Sequence, residues 1–247
     1  MPLLWTVIII LALGAVGYVL GRRRAIASAG GDARLLHSLP GYYGTNAFIL
    51  TTVPALLVMA VWLIVQPLVI EGAVTDMIPD SAISDTGSRS LVMTEVRRVA
   101  DGLDLAIERG VLSRDEAANV RAEFTDIRAR LGEIGVALGA EVTGPVLRAA
   151  QAYRSMNATG TTLMTGVVIL LAALGLGYAY ARSHHEFRAR NWVEYAILSL
   201  LVLASTIAIL TTIGIVFSML FETFNFFELY PWQSFFFGLE WRPSFEG

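Results

Sequence analysis

The sequence predicts an all-α membrane protein: four transmembrane helices, with an extracytoplasmic helical hairpin domain between the second and third. Three observations carry that prediction. The apolar residues gather into four long uncharged runs, the pattern of membrane spans rather than of one large core. The stretch between the second and third runs turns charged and takes on helical apolar spacing. The other two loops are marked by arginine. At 247 residues, 55% hydrophobic and 16% charged, the chain falls well below the roughly 25% charge of soluble domains.

The first run, Leu3 to Leu20, has 18 residues without a charge, eleven of them Leu, Ile or Val. Arginines follow it rather than precede it, so it reads as a retained span and not as a cleaved signal peptide. Phe48 to Ile70 is a run of 23 residues, Leu163 to Ala181 of 19 and Tyr195 to Phe221 of 27, against the roughly 20 that cross a bilayer core. Pro54 and Pro67 each remove a backbone donor, which predicts a kink in the second helix or an end near Gln66. Gly17 with Gly21, and Gly177 with Ala181, have the spacing that lets helix backbones approach, though single pairs read equally well as ordinary small residues. Arg22, Arg23, Arg24 and Arg34 lie between spans one and two, and Arg182, Arg188 and Arg190 between spans three and four. By the positive-inside rule both loops face the cytoplasm, which puts the N-terminus, the long central segment and the tail outside.

That central segment holds 14 acidic and ten basic residues between Glu71 and Gly160. Asp76 to Ser90, rich in Asp, Ser, Gly and Pro, reads as a linker. Val92, Val96, Val99, Leu103 and Ile107 then trace a helical face ending near Gly110, a glycine suited to a C-cap. Ser113 with Glu116 is a capping-box spacing, followed by a seam at Val120, Phe124, Ile127, Leu131, Ile134 and Leu138. The short turn between the two favours an antiparallel hairpin over a stalk paired between protomers. A third helix is expected over Pro145 to Asn157, with Val146, Ala149, Ala150 and Tyr153 on one face. The expected organisation is therefore residues 1–70 for spans one and two (about 3–20 and 48–70), 71–160 for the external domain, 161–221 for spans three and four (about 163–181 and 195–221), and 222–247 for a tail. From Phe221 to Phe245 the tail region has eight phenylalanines, two tryptophans and one tyrosine, which predicts a short interfacial helix or re-entrant hairpin.

Chemistry is largely excluded. All 18 basic residues are arginine, so neither a Walker A loop nor a Schiff-base lysine is encoded, and without cysteine there is no thiolate or Cys-based zinc site. A net charge of −3 gives no general attraction to nucleic acid. His37, His184 and His185 fall in the arginine-marked loops, and adjacent His184 and His185 point about 100° apart on a helix, too divergent for a metal site. Asp115 with Glu116, and Asp101 with Asp104, read as solubilising charge. The Asn157-Ala158-Thr159 sequon carries no weight. No catalytic, cofactor-binding or metal-binding residue is assigned, and no cofactor. No Asp, Glu, Arg or His lies inside a span, so the spans do not read as a transport path by themselves.

The fourth span and tail, Thr211-Thr212-Ile213-Gly214-Ile215-Val216-Phe217-Ser218-Met219-Leu220-Phe221-Glu222 and then Phe237-Gly238-Leu239-Glu240-Trp241-Arg242-Pro243, resemble the first core helix and following external segment of the PstC permease subunits of phosphate ABC transporters. The upstream part, including Leu39-Pro40-Gly41-Tyr42-Tyr43-Gly44, resembles the N-terminal extension of the long bacterial forms. The resemblance implies a non-enzymatic, multi-pass subunit of the bacterial inner membrane that takes part in phosphate import. Its implied partners are a second permease subunit, an ATP-binding subunit that hydrolyses ATP and an extracytoplasmic phosphate-binding protein. It further implies that the helices forming the translocation path and the ATPase-coupling loop lie beyond Gly247. This chain would then be a scaffold, its hairpin offered to the binding protein. The competing class is a stand-alone four-span sensor or assembly factor whose external hairpin receives a signal.

Overall fold

The computed structural model describes residues 3–79, 89–119, 132 and 143–237. Among these the chain is helical and forms no strand. It divides into two compact units, residues 1–189 and 190–247. The first contains α1 (Leu3–Ser28), α2 (Pro40–Thr75), α3 (Arg89–Glu108), α4 (Arg114–Asn119) and α5 (Gly144–Arg182). The second contains α6 (Ala189–Leu229) and α7 (Trp232–Phe237). Helices α1, α2, α5 and α6 are each long and apolar enough to cross a membrane, in agreement with the four uncharged runs.

Two of these helices are longer than their apolar runs. α2 has 36 residues and α5 has 39, so at 1.5 Å per residue they reach about 54 and 58 Å, against about 30 Å of bilayer hydrocarbon. α2 does not end near Gln66. Pro67 withholds only its own N–H, and the helix continues through it to Thr75. The helix expected over Pro145 to Asn157 and the span from Leu163 are one continuous α5. The helix runs through the polar junction with its threonine hydroxyls satisfied by the preceding turn: Thr162 Oγ1 donates to Ala158 O and Thr165 Oγ1 to Thr161 O, both at 2.9 Å.

The overhanging ends of α2 and α5 build a second core with α3. Ile70 and Val74 from the end of α2, with Ile78 just beyond it, meet Met93, Val96, Val99 and Leu103 of α3 and Val146, Leu147 and Ala150 of α5. The expected α3 face is present at Val96, Val99 and Leu103, while Val92 and Ile107 sit at its margin. The buried face is wider than one seam because α3 packs on two helices, and Ala100 and Ala106 are buried as well. Arg97 of α3 pairs with Glu71 of α2 at 3.0 Å. Asp104, expected to be solubilising charge, pairs with Arg154 of α5.

The turn after α3 follows its sequence signals. Gly110, at φ +71°, ends the helix in a Schellman motif, with Gly110 N–H donating to Ile107 O (3.0 Å) and Val111 N–H to Ala106 O (2.9 Å). The capping box forms in both directions: Glu116 N–H donates to Ser113 Oγ (3.1 Å) and Ser113 N–H to Glu116 Oε2 (2.7 Å). Replacing Ser113 by alanine is expected to cost about 1 kcal/mol of local stability. Amide hydrogen exchange at Glu116 checks this and should quicken about fivefold. The seam from Val120 to Leu138, and with it the hairpin's second arm, lies outside the described residues, as does most of the linker.

In the second unit α6 exposes every residue from 201 to 226. Its end carries an aromatic cluster, formed where the chain turns at Tyr230-Pro231 into α7. Phe235 stands edge-on to Phe226 and Phe227 at centroid distances of 5.4 and 5.7 Å, and Phe236 lies over Phe227 at 6.2 Å. The expected short helix in the aromatic tail is thus α7, held by edge-to-face ring contacts. The tail beyond residue 237 lies outside the described residues.

Candidate functional site

The functional geometry of the first unit lies in how three helices touch. α1 buries Thr6, Ile10, Gly14, Gly17, Gly21 and Ala25, one face at steps of four and three, so its contact surface is mostly small residues. Gly17 and Gly21, the sequence's GxxxG pair, both lie on it. A Cβ on Gly21 would come within 2.9 Å of Ala47 Cβ and of Tyr43 O on α2, and one on Gly17 within 3.0 Å of Leu176 on α5. The other small pair is not used. Gly177 has nothing within 4 Å of its would-be Cβ, and the contact belongs to Gly175, where a Cβ would sit 2.2 Å from Leu50 O. Above these contacts Ile10, Ala55, Met59, Met164, Val168 and Ala172 close the bundle core. Small residues at such crossings let backbones pack closely where lipid offers no hydrophobic drive for association.

A polar clamp ties α2 to α5 near the end of the apolar run. Gln66 Oε1 accepts from Trp62 Nε1 (2.7 Å), and its Nε2 donates to Asn157 Oδ1 (2.7 Å). Gly160 makes room for it, since a Cβ there would lie 2.8 Å from Gln66 Cδ. The Asn157 side chain, which the sequence presents only as part of a sequon, is thus an interhelical partner. Beside the clamp runs a groove of about 760 Å³ between α2 and α5, lined by Leu57, Val61, Val65, Val69, Met156 and Leu163 among others. Among the described residues no charged side chain lines it, and its walls are mostly apolar, so it suits an acyl chain or an apolar helix and has no cationic group to pair with an oxyanion.

At the opposite end a second knot fixes the loop after α5. Tyr43 is fully buried. Its hydroxyl lies 2.9 Å from Phe187 O and 3.2 Å from His185 O, and its ring packs on Phe187. His37 N–H also donates to His185 O at 3.1 Å. These bonds explain the Leu39-Pro40-Gly41-Tyr42-Tyr43-Gly44 stretch. Pro40 starts α2, Tyr43 pins the loop, and Gly44 accepts the Tyr18 ring, 2.7 Å from where a Cβ would be. Tyr43→Phe is expected to cost about 1 kcal/mol and to quicken trypsin cleavage at exposed Arg188 about fivefold in detergent.

The three histidines do not converge. His184 Nδ1 lies 2.8 Å from Arg182 O, and His185 Nε2 is 3.9 Å from Glu186. Among the described residues no group of three metal-ligating side chains gathers. His184 instead borders a pocket with Arg23, Arg24 and Tyr180, a grouping drawn from helices about 160 positions apart that no local motif announces.

Residues 7–177 match the family model described as phosphate ATP-binding cassette transporter. No curated protein and no solved structure matches the chain. The matched stretch takes in α1 to α4 and most of α5, so it coincides with the packed first unit rather than with a single span. A match over more than half the chain, taking in three of its four membrane-length helices, identifies the protein as a membrane component of the phosphate ATP-binding cassette transporter family.

Proposed function

We propose that the chain is the N-terminal scaffold of a PstC-type permease subunit in an importer of inorganic phosphate of the bacterial inner membrane. The observation that carries the reading is the family match over the bundle, residues 7–177. The bundle supports a scaffold rather than a path: its contact faces are small or apolar, its groove is uncharged among the described residues, and no Asp, Glu, Arg or His lies within the apolar spans. The translocation helices, a second permease subunit and an ATP-binding subunit would supply the path and the power. The phosphate-binding protein would dock on the side of α3 and α4. In this orientation the N-terminus, α3 and α4 are extracytoplasmic, and the loops around Arg22–Arg24 and His184 are cytoplasmic.

Two measurements test this. Reporter fusions at Gly30, Gly110 and His184 are expected to report cytoplasm, outside and cytoplasm, and a cytoplasmic Gly110 overturns the orientation. Uptake of radiolabelled phosphate by cells whose transporter carries a bundle-breaking substitution is expected to fall about tenfold. Uptake that survives loss of the folded bundle removes the permease assignment in favour of a separate sensor or assembly role.

A further inference from the structure

Where α1 and α5 end side by side, a pocket of about 490 Å³ opens between them. Its polar lining comes from Arg23, Arg24 and Ser28 of α1 together with Tyr180 of α5 and the adjacent Ser183 and His184, and Leu20 forms an apolar edge. Among the described residues no carboxylate lines it, and neither Arg23 nor Arg24 is within ion-pair distance of one. Arg24 is held in place: its guanidinium carbon lies 4.4 Å from the centroid of the Tyr180 ring, and Nη1 donates to the Tyr180 hydroxyl at 3.4 Å. Stacking of this kind fixes the plane of the fork without neutralising its charge. His184 Nδ1 is committed to Arg182 O, which puts its proton there and leaves Nε2 as the ring's other polar atom.

From this geometry we propose that the pocket binds a negatively charged phosphate group, whose oxygens are taken by the guanidinium groups of Arg23 and Arg24. A planar fork matches phosphate by paired hydrogen bonds, and basic pockets between membrane helices receive anionic headgroups. The apolar edge at Leu20 adjoins the uncharged run of α1, which suits a headgroup whose chains lie along the helices. Inorganic phosphate shares the chemistry and is the other source. The proposal does not depend on the permease reading, because it uses only side chains of this bundle.

The test uses the full chain in detergent, titrated with phosphatidylglycerol and read by native mass spectrometry, with inorganic phosphate as competitor. Arg23→Gln and Arg24→Gln are each expected to weaken phosphatidylglycerol binding about tenfold. Arg22→Gln removes the same charge from a neighbouring residue outside the pocket and is expected to change it less than about threefold. Arg24→Lys keeps the charge but loses the fork and the stacking, and should lose about threefold or more. Displacement of the lipid by millimolar inorganic phosphate assigns the pocket to the free anion, and failure to displace it assigns the pocket to the headgroup. An equal loss in all three glutamine variants, an Arg24→Lys chain that binds like wild type, or binding of neither probe overturns the proposal.

Discussion

Gly175→Val is expected to unseat α5 from α2, while Gly177→Val, two residues away, leaves the bundle intact. A Cβ at residue 175 would stand 2.2 Å from the carbonyl oxygen of Leu50 and 3.0 Å from its carbon. Both are backbone atoms inside a helix, so neither can rotate away as a side chain would. Overpacking a well-filled core commonly costs about 1–3 kcal/mol. Here relief requires α5 to move bodily off α2, which would also pull Met164, Val168 and Ala172 from their contacts with Ile10 and Met59. A loss of about 3 kcal/mol or more is therefore expected. The readout is the midpoint temperature of the detergent-solubilised chain by size-exclusion chromatography after heating. Gly177, with open space around its would-be Cβ, should tolerate valine within about 0.5 kcal/mol. Equal behaviour of the two variants would mean that α5 does not present this face to α2.

The contrast between these two glycines marks the boundary of what a membrane sequence reveals. The positions of the membrane helices are legible, because uncharged runs of this length, four times over, fit a bilayer and little else. Which face of each helix turns inward is not. In a soluble helix a polar face marks the outside, but lipid is as apolar as leucine, so buried and lipid-facing positions carry the same residues. The inward stripe of α5 is Met164, Val168, Ala172 and Ala179, with Gly175 in step, and it can be read only once Leu50 of α2 is seen against it. Gly177 with Ala181 satisfies the same spacing rule, yet among the described residues nothing lies within 4 Å of a Cβ at Gly177.

Helix ends are obscured for a related reason. Pro67 after Gln66 and the polar residues before Leu163 look like structural punctuation, yet both helices run on, and Gln66 bonds to Asn157 and Thr161 across the crossing. The charged segment, where water restores the inside-outside contrast, is more legible: the glycine cap at Gly110 and the capping box at Ser113 both form as their residues dictate. The basic pocket is legible only in halves. In the sequence Arg23 and Arg24 are topology markers and His184 is a loop residue, and nothing local relates one to the other.

Leu103→Ala carries the other large effect, because it strikes the apolar core that α3 shares with the membrane helices. Leu103 is 0% exposed and lies in one cluster with Val74 of α2 and Leu147 of α5. The charged contacts around that core cannot substitute for it. Arg97 with Glu71 and Arg154 with Asp104 each have at least one well-exposed partner, and such pairs contribute about 1 kcal/mol or less. Truncating a buried leucine to alanine costs about 2–5 kcal/mol, depending on how far the cavity collapses. Collapse here is restrained, since α2 and α5 are already held by their own crossing at Gly175 and Gln66. The loss should therefore appear as detachment of α3 rather than as melting of the bundle. Amides of residues 89–108 are expected to exchange hydrogen at least about thirtyfold faster, with those of α1 unchanged. Leu91→Ala on the same helix removes a side chain 63% exposed and is expected to shift exchange less than about threefold. If Leu103→Ala leaves exchange in α3 unaltered, then α3 is anchored by something other than its contact with α2 and α5; if exchange in α1 rises in parallel, the two cores are a single cooperative unit.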